Sequence, residues 1–156
     1  MVEPGDVITA EVTSVQVFGA FCRHESQDML ITIPETSWIA SFNSCKQFAE
    51  RGDFLTVKIV HVDIKSGKIS ATIRGLYSDP WQTDQLKVGN SYTARVVRYV
   101  ENSDRCDGNP AYLLELVPGA YVMLRADGLL LEPGQNRMVI IQESNSFNHS
   151  VRVSIP

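Results

Sequence analysis

Short runs in which apolar and polar residues alternate recur along the chain, bounded by clusters of Gly, Asn, Asp and Ser. Alternation with a period of two places successive side chains on opposite faces of a strand, one face buried and one wet. The pattern predicts strands near residues 6–15, 17–24, 29–34, 54–63 and 68–74, and again near 91–100, 111–117, 120–125, 136–143 and 150–155. Residues 36–51 depart from it. There Phe42, Cys45 and Phe48 or Ala49 recur every three or four positions, which predicts a short helix or helical turn ended by Gly52.

The two sets of strands read as copies of one unit. Gly5-Asp6-Val7-Ile8-Thr9-Ala10-Glu11-Val12 is echoed 84 residues later by Gly89-Asn90-Ser91-Tyr92-Thr93-Ala94-Arg95-Val96. Gly52-Asp53-Phe54-Leu55-Thr56-Val57 returns 82 residues later as Gly134-Gln135-Asn136-Arg137-Met138-Val139, and Ile69–Ile73 returns at the same offset as Val151–Ile155. A near-constant offset at both ends is the mark of an internal repeat. Five strands with a helical segment between the third and fourth is the plan of the OB-fold, a partly open Greek-key barrel. The expected architecture is therefore all-β, two tandem five-stranded OB-fold barrels, the first with a short helical segment between strands 3 and 4. The first domain is expected over residues 1–76, a linker over 77–87, and a second, divergent domain over 88–156. In the linker Pro80 interrupts the final strand, and Trp81 is available to pack between the barrels. The second copy's connection, Ala126 to Pro133, is too short for the same helical segment.

Composition narrows the function. With 44% hydrophobic and 21% charged residues the 156-residue chain is globular in character. No apolar run approaches the roughly 20 residues that span a bilayer, and the first residues lack the regions of a signal peptide, so a cytoplasmic location without membrane association is expected. Cys22, Cys45 and Cys106 are odd in number and widely spaced, which gives neither a disulfide framework nor a metal knuckle. Cys22 reads as a small core residue, and no metal or cofactor is expected. The net charge of −4 argues against duplex DNA, whose binding draws on many Lys and Arg contacts to phosphate. Single strands remain open, because bases stack on aromatic rings without a large basic field.

One stretch offers such rings, Val17-Phe18-Gly19-Ala20-Phe21-Cys22. Phe18 and Phe21 are three apart, so a regular strand points them to opposite faces. A bulge or kink at Gly19, which tolerates backbone angles larger residues avoid, brings both to one surface. Alternation alone leaves open whether the rings are core or surface.

These residues, with those around them, resemble the RNA-binding domain repeated in bacterial ribosomal protein S1. The resemblance is carried by Gly5-Asp6, Phe18-Gly19-Ala20-Phe21-Cys22, Met29-Leu30-Ile31-Thr32-Ile33-Pro34-Glu35, Gly52-Asp53, and Val62-Asp63 followed by Gly67-Lys68-Ile69-Ser70. It covers residues 5–75, and residues 88–156 match the outline more loosely. Asp79-Pro80-Trp81 resembles the linker between that protein's repeats.

The resemblance implies that Phe18 and Phe21 lie on an RNA face, beside Asp63 and Lys68 at the closing acidic and basic positions. Lys68 replaces the usual Arg and loses the planar fork that stacks and bonds in two directions. Thr32 stands at the usual His position and Pro34 at the usual Ser. A hydroxyl can bond a phosphate or a 2′-OH but cannot stack. His24 and His61 are candidates to compensate, and Lys58, Arg23 and Arg74 to form a basic rim; each also reads as an ordinary solvated residue. The second copy lacks the two-Phe motif and offers Tyr99, Tyr112 and Tyr121. The expected function is a non-catalytic, single-stranded RNA-binding module of the ribosomal protein S1 type, acting in translation or RNA metabolism. The alternative is a protein-interaction module with a reassigned barrel face, and the second domain is the candidate contact for the ribosome or another protein.

Overall fold

The computed structural model describes residues 1–156 and contains ten strands with no α-helix. No helix is long and apolar enough to cross a membrane. The chain divides into two compact units, one made of Met1–Thr36 and Asn43–Ser78, the other of Ser37–Phe42 and Asp79–Pro156.

In the first unit β1 (Val7–Val15), β2 (Gly19–His24), β3 (Gln27–Thr32), β4 (Phe54–Val62) and β5 (Ile69–Thr72) close into a barrel in the order β1-β2-β3-β5-β4. Every junction is antiparallel except β3 to β5, where Leu30 pairs with Ser70. The inward positions are those the alternation marks: Ala10, Val12, Ala20, Cys22, Met29, Ile31, Val57, Ile59, Ile69 and Ala71 are all buried. Full burial of a side chain the size of Val57 or Ile59 contributes about 1.5–3 kcal/mol. Such a core holds a small barrel without a staple. Burial also pushes the thiol of Cys22 up to about 12 and that of Cys45 to about 11, so both stay protonated and serve as packing groups at neutral pH.

The second unit contains β6 (Ser91–Val100), β7 (Ala111–Val117), β8 (Ala120–Arg125), β9 (Asn136–Asn145) and β10 (Ser150–Ser154) in the corresponding order β10-β9-β6-β7-β8. Its sheet is not closed by backbone bonds between β8 and β10. The repeated glycines explain the shared outline. Gly5 and Gly89 have φ of +95° and +93° and donate their N–H to the carbonyls of Ile59 and Ile141; Gly52 and Gly134, at +95° and +88°, donate to Val12 and Val96. A left-handed backbone followed by a strand is the same device used twice in each unit.

Of the short helix or helical turn expected within residues 36–51, the structure has the helical turn, a 3-10 turn over Cys45–Gln47 with the Ser44 hydroxyl accepting from the Lys46 N–H. Phe42, Cys45, Phe48 and Ala49 are buried, as their spacing requires. A longer helix is prevented because the N–H groups of Trp38 and Ala40 bond to the carbonyls of Gly119 and His149, at 2.9 and 2.8 Å, rather than to their own segment. Ser37–Phe42 is thereby built into the second unit, and Ile39 is part of its core.

The connection after β5 is also tighter than expected. The strand ends at Thr72, two residues before the expected 74, a 3-10 turn follows over Arg74–Leu76, and a second turn covers Pro80–Gln82 with Asp79 capping it. Trp81 belongs to the second unit, where its Nε1–H donates to the Trp38 carbonyl at 2.6 Å and its ring stacks on His149.

Removing the Ile39 side chain should therefore destabilise the second unit, although the residue lies within the first repeat. Ile39→Ala is expected to cost about 2–5 kcal/mol, the range for deleting a buried aliphatic side chain. Hydrogen exchange should show Val96, Leu114 and Ile141 losing protection while Val12 and Val57 keep theirs.

Candidate nucleic-acid interface

The outer surface of the first barrel follows from its inner one. Since Ala20 and Cys22 on β2 and Met29 and Ile31 on β3 point inward, Phe21 and Leu30 point outward. Strand register then sets their neighbours: Phe21 pairs with Leu30, Leu30 with Ser70, and Ser70 with His61. These four residues form one continuous row across β2, β3, β5 and β4.

Phe18 joins the row from a bend at Val17–Phe18, just before β2 begins. It is 54% exposed, and its ring meets that of Phe21 edge to face, with centroids 6.0 Å apart and planes at 88°. Both rings thus share one surface, half-buried Phe21 supporting exposed Phe18. The expectation about Gly19 needs correction in its cause. Its backbone is not left-handed; it is glycine because a Cβ there would lie 2.5 Å from the Ile31 carbonyl oxygen and 3.1 Å from Leu30 Cδ1. The chain bends before Gly19, and Gly19 lets β2 lie close against β3.

The other candidate residues are distributed as follows. Thr32 is exposed at the end of β3, opposite Gly19, and so borders the aromatic pair. Lys68 is exposed and forms no ion pair; it lies beyond Ser70 on the side away from Phe18. Asp63 shapes the turn that presents Lys68. Its N–H donates to the Lys68 carbonyl at 2.8 Å, and its carboxylate accepts from the N–H groups of Lys65 and Ser66. The Ser66 hydroxyl and these two N–H groups hold the Asp63 carboxyl below its ordinary range, with a smaller contribution from His61.

Two candidates stand apart. His24 occupies an inward position of β2, in step with Ala20 and Cys22, and its Nδ1 lies 2.9 Å from the Thr9 carbonyl. Lys58, half-buried on β4, is opposite Thr72, whose hydroxyl donates to the Glu35 carbonyl and accepts from the Gly75 N–H. The Arg74–Leu76 turn thus intervenes between Lys58 and the aromatic pair. Of the expected rim, Arg23 is committed to Asp28 at 2.8 Å and Arg74 to Glu35 at 3.7 Å. The residues missed by sequence reading are Leu30 and Ser70. Alternation marks both as outward, but their place beside Phe21 depends on the parallel register of β3 and β5.

The second unit has no aromatic ring at the corresponding positions, and its own edge-to-face pair, Tyr99 with Tyr112 at 5.5 Å, lies elsewhere. The positions equivalent to Phe21, Leu30, Ser70 and His61 are Leu113, Met123, Arg152 and Glu143, and the first two are buried. Tyr112 anchors the core, its hydroxyl donating to the Leu129 carbonyl and accepting from the Leu131 N–H. Tyr121 is buried, and only Tyr99 of the three tyrosines is exposed.

Residues 1–74 match the family model described as S1 RNA binding domain. The chain is 23% identical to the small ribosomal subunit protein bS1 of Rickettsia typhi, over 99% of this chain and 28% of that protein. It is 30% identical to a 4-hydroxy-3-methylbut-2-enyl diphosphate reductase of Clostridium tetani, over 98% of this chain and 22% of that one. The chain therefore spans less than a third of either relative. Among solved structures it is similar to GSP13 of Bacillus subtilis, with 30% identity over 58% of this chain and 75% of that one and a TM-score of 0.45.

Gly19→Ala tests the close approach that seats the aromatic pair. The added Cβ meets backbone, which cannot rotate away, so the substitution should cost about 1–3 kcal/mol in urea unfolding of the first unit. The Phe18 and Phe21 ring resonances should shift as the two rings separate.

Proposed function

We propose, from the membership of residues 1–74 in the S1 RNA-binding domain family, that this chain is a non-catalytic module whose first barrel holds single-stranded RNA. The observation that carries the reading is the edge-to-face pair of Phe18 and Phe21 on an outward row continuous with Leu30 and Ser70.

An exposed phenyl ring beside a half-buried one offers a flat apolar surface whose exposure has no folding purpose. Bases fit it, because each has a π-face that stacks without regard to sequence. The hydroxyls of Thr32 and Ser70 are placed to bond phosphate or 2′-OH along the strand, and Lys68 supplies an unpaired charge for phosphate. Asp63 acts through Lys68 by fixing its turn and does not touch the RNA. His24, turned inward, and Lys58, beyond the Arg74–Leu76 turn, have no direct part.

Affinity on this reading is modest. The chain carries a net charge of −4, Lys68 lacks the fork of an arginine, and Arg23 is already paired. The similarity to the small ribosomal subunit protein bS1 supports a place in translation, with unstructured messenger RNA as the ligand. The positions of Phe21 and Leu30 are taken in the second unit by buried Leu113 and Met123, which favours the first unit for RNA contact, although exposed Tyr99 stands edge to face with Tyr112 at 5.5 Å.

Fluorescence anisotropy with a labelled oligouridine tests this. The double variant Phe18→Ala, Phe21→Ala should bind at least about tenfold more weakly, since stacking contributes about 1–3 kcal/mol per base. Binding of the unaltered protein should fall as salt rises. Equal affinity of the variant and the parent protein would remove the stacking assignment.

A further inference from the structure

His61 ends the outward row of the first barrel on the strand farthest from the aromatic pair, and stacking leaves it without a task. Register places it opposite Ser70, with Leu30 and then Phe21 beyond. Neighbouring strands lie about 4.8 Å apart, so three steps set His61 roughly 14 Å from Phe21 along the surface. The residue is exposed, and its ring forms no hydrogen bond or ion pair.

Each element beside His61 contributes its own charges. On the same strand Asp63 follows, its carboxylate taken by the Lys65 and Ser66 N–H groups and the Ser66 hydroxyl. Those bonds hold Asp63 below the ordinary carboxylate range, so it is ionised at neutral and mildly acid pH alike. On β5 exposed Ser70 offers a hydroxyl directly opposite His61, and Lys68, whose carbonyl accepts from the Asp63 N–H, offers an unpaired ammonium. Before His61 the bulge at Val60 sets half-buried Lys58 apart. The chain leading into β1 meets β4 where the Gly5 N–H donates to the Ile59 carbonyl; it carries Glu3 and Asp6, and the Asp6 carboxylate accepts from the Glu3 N–H. From the turn after β5 comes Arg74, held by Glu35 at 3.7 Å.

We propose that His61, once protonated, is a phosphate contact that tightens the first barrel's hold on single-stranded RNA as pH falls below neutral. The inference rests on the RNA function proposed above. A strand that stacks on the two rings and follows the outward row brings a later phosphate over Ser70 and His61. Histidine is the side chain whose ordinary charge change falls between about pH 5 and 8. Above that range Lys68 alone supplies positive charge at this end of the row; below it the imidazolium joins the Lys68 ammonium and the Ser70 hydroxyl. Asp63 does not cancel the gain, because its charge is the same at both ends of the range and favours the imidazolium. RNA thus prefers the protonated form, affinity rises as pH falls through the His61 transition, and the bound ring keeps its proton to higher pH than the free one. Of the 3 histidines in the chain, the other two do not face this row: His24 is turned inward against the Thr9 carbonyl, and His149 stacks on Trp81 in the second unit.

The test is an anisotropy titration of the full chain with labelled oligouridine, whose base takes up no proton in this range, at about pH 8 and about pH 5.5 and over a series of salt concentrations. The unaltered chain should bind about two- to fivefold more tightly at the lower pH, the range for one exposed charge contact. Its logarithmic salt slope should steepen there by about 0.7, the increment for one further phosphate on a single strand. His61→Gln should bind alike at both pH values, His24→Gln should follow the unaltered chain, and His61→Lys should carry the tighter binding up to the higher pH. The His61 ring resonances should titrate at higher pH when oligouridine is bound. Equal affinity of the unaltered chain at the two pH values, or a pH response that survives His61→Gln, overturns the proposal and leaves the stacking assignment standing. An unchanged salt slope overturns it as well, because the ring then meets a base and not a phosphate. Absence of binding at both pH values removes the RNA function and this proposal together.

Discussion

A five-stranded sheet that curls on itself must join its last two edges, and in the first unit that join rests on one parallel contact, Leu30 of β3 beside Ser70 of β5. With it, the backbone edges are satisfied and the outer surface becomes a continuous band across β2, β3, β5 and β4. Phe21, Leu30, Ser70 and His61 are neighbours only because of that register. The bend at Val17–Phe18 then adds one exposed ring to the band. Gly19 serves the same end by letting β2 approach β3 closely.

Where the join is missing, the same repeat acquires another character. In the second unit Leu113 and Met123 fill the positions of Phe21 and Leu30 and are buried, so the platform is gone. The unclosed edges of β8 and β10 are answered in part by Ser37–Phe42, whose Ser37 and Ser41 hydroxyls satisfy Tyr121 while Ile39 enters the core.

Most strands were legible because a half-buried strand writes a period of two into its sequence; in the second copy β6 and β9 kept that period, while β7 and β8 are short apolar runs buried on both faces. The paired glycines were legible as a repeat for a related reason, each pair requiring the same left-handed backbone. The path of Ser37–Phe42 was not, because the partners of Trp38 and Ala40, Gly119 and His149, are remote in sequence and local spacing carries no trace of them. The aromatic pair was visible as a pair, but Leu30 and Ser70 were not visible as its neighbours. Their adjacency depends on a parallel register that loop lengths do not reveal. His24 is a different case: it lies in step with Ala20 and Cys22, and the alternation itself placed it inward.

The central claim is that closure of the β3–β5 seam makes the first barrel, and only the first, an RNA surface. Backbone NMR of the full chain titrated with single-stranded oligouridine tests it most directly. The account predicts shifts confined to the amides of Phe18–Phe21, Leu30–Thr32 and Lys68–Ser70, with β6 to β10 unmoved. Shifts centred on the second unit, with Phe18 and Phe21 silent, would contradict it.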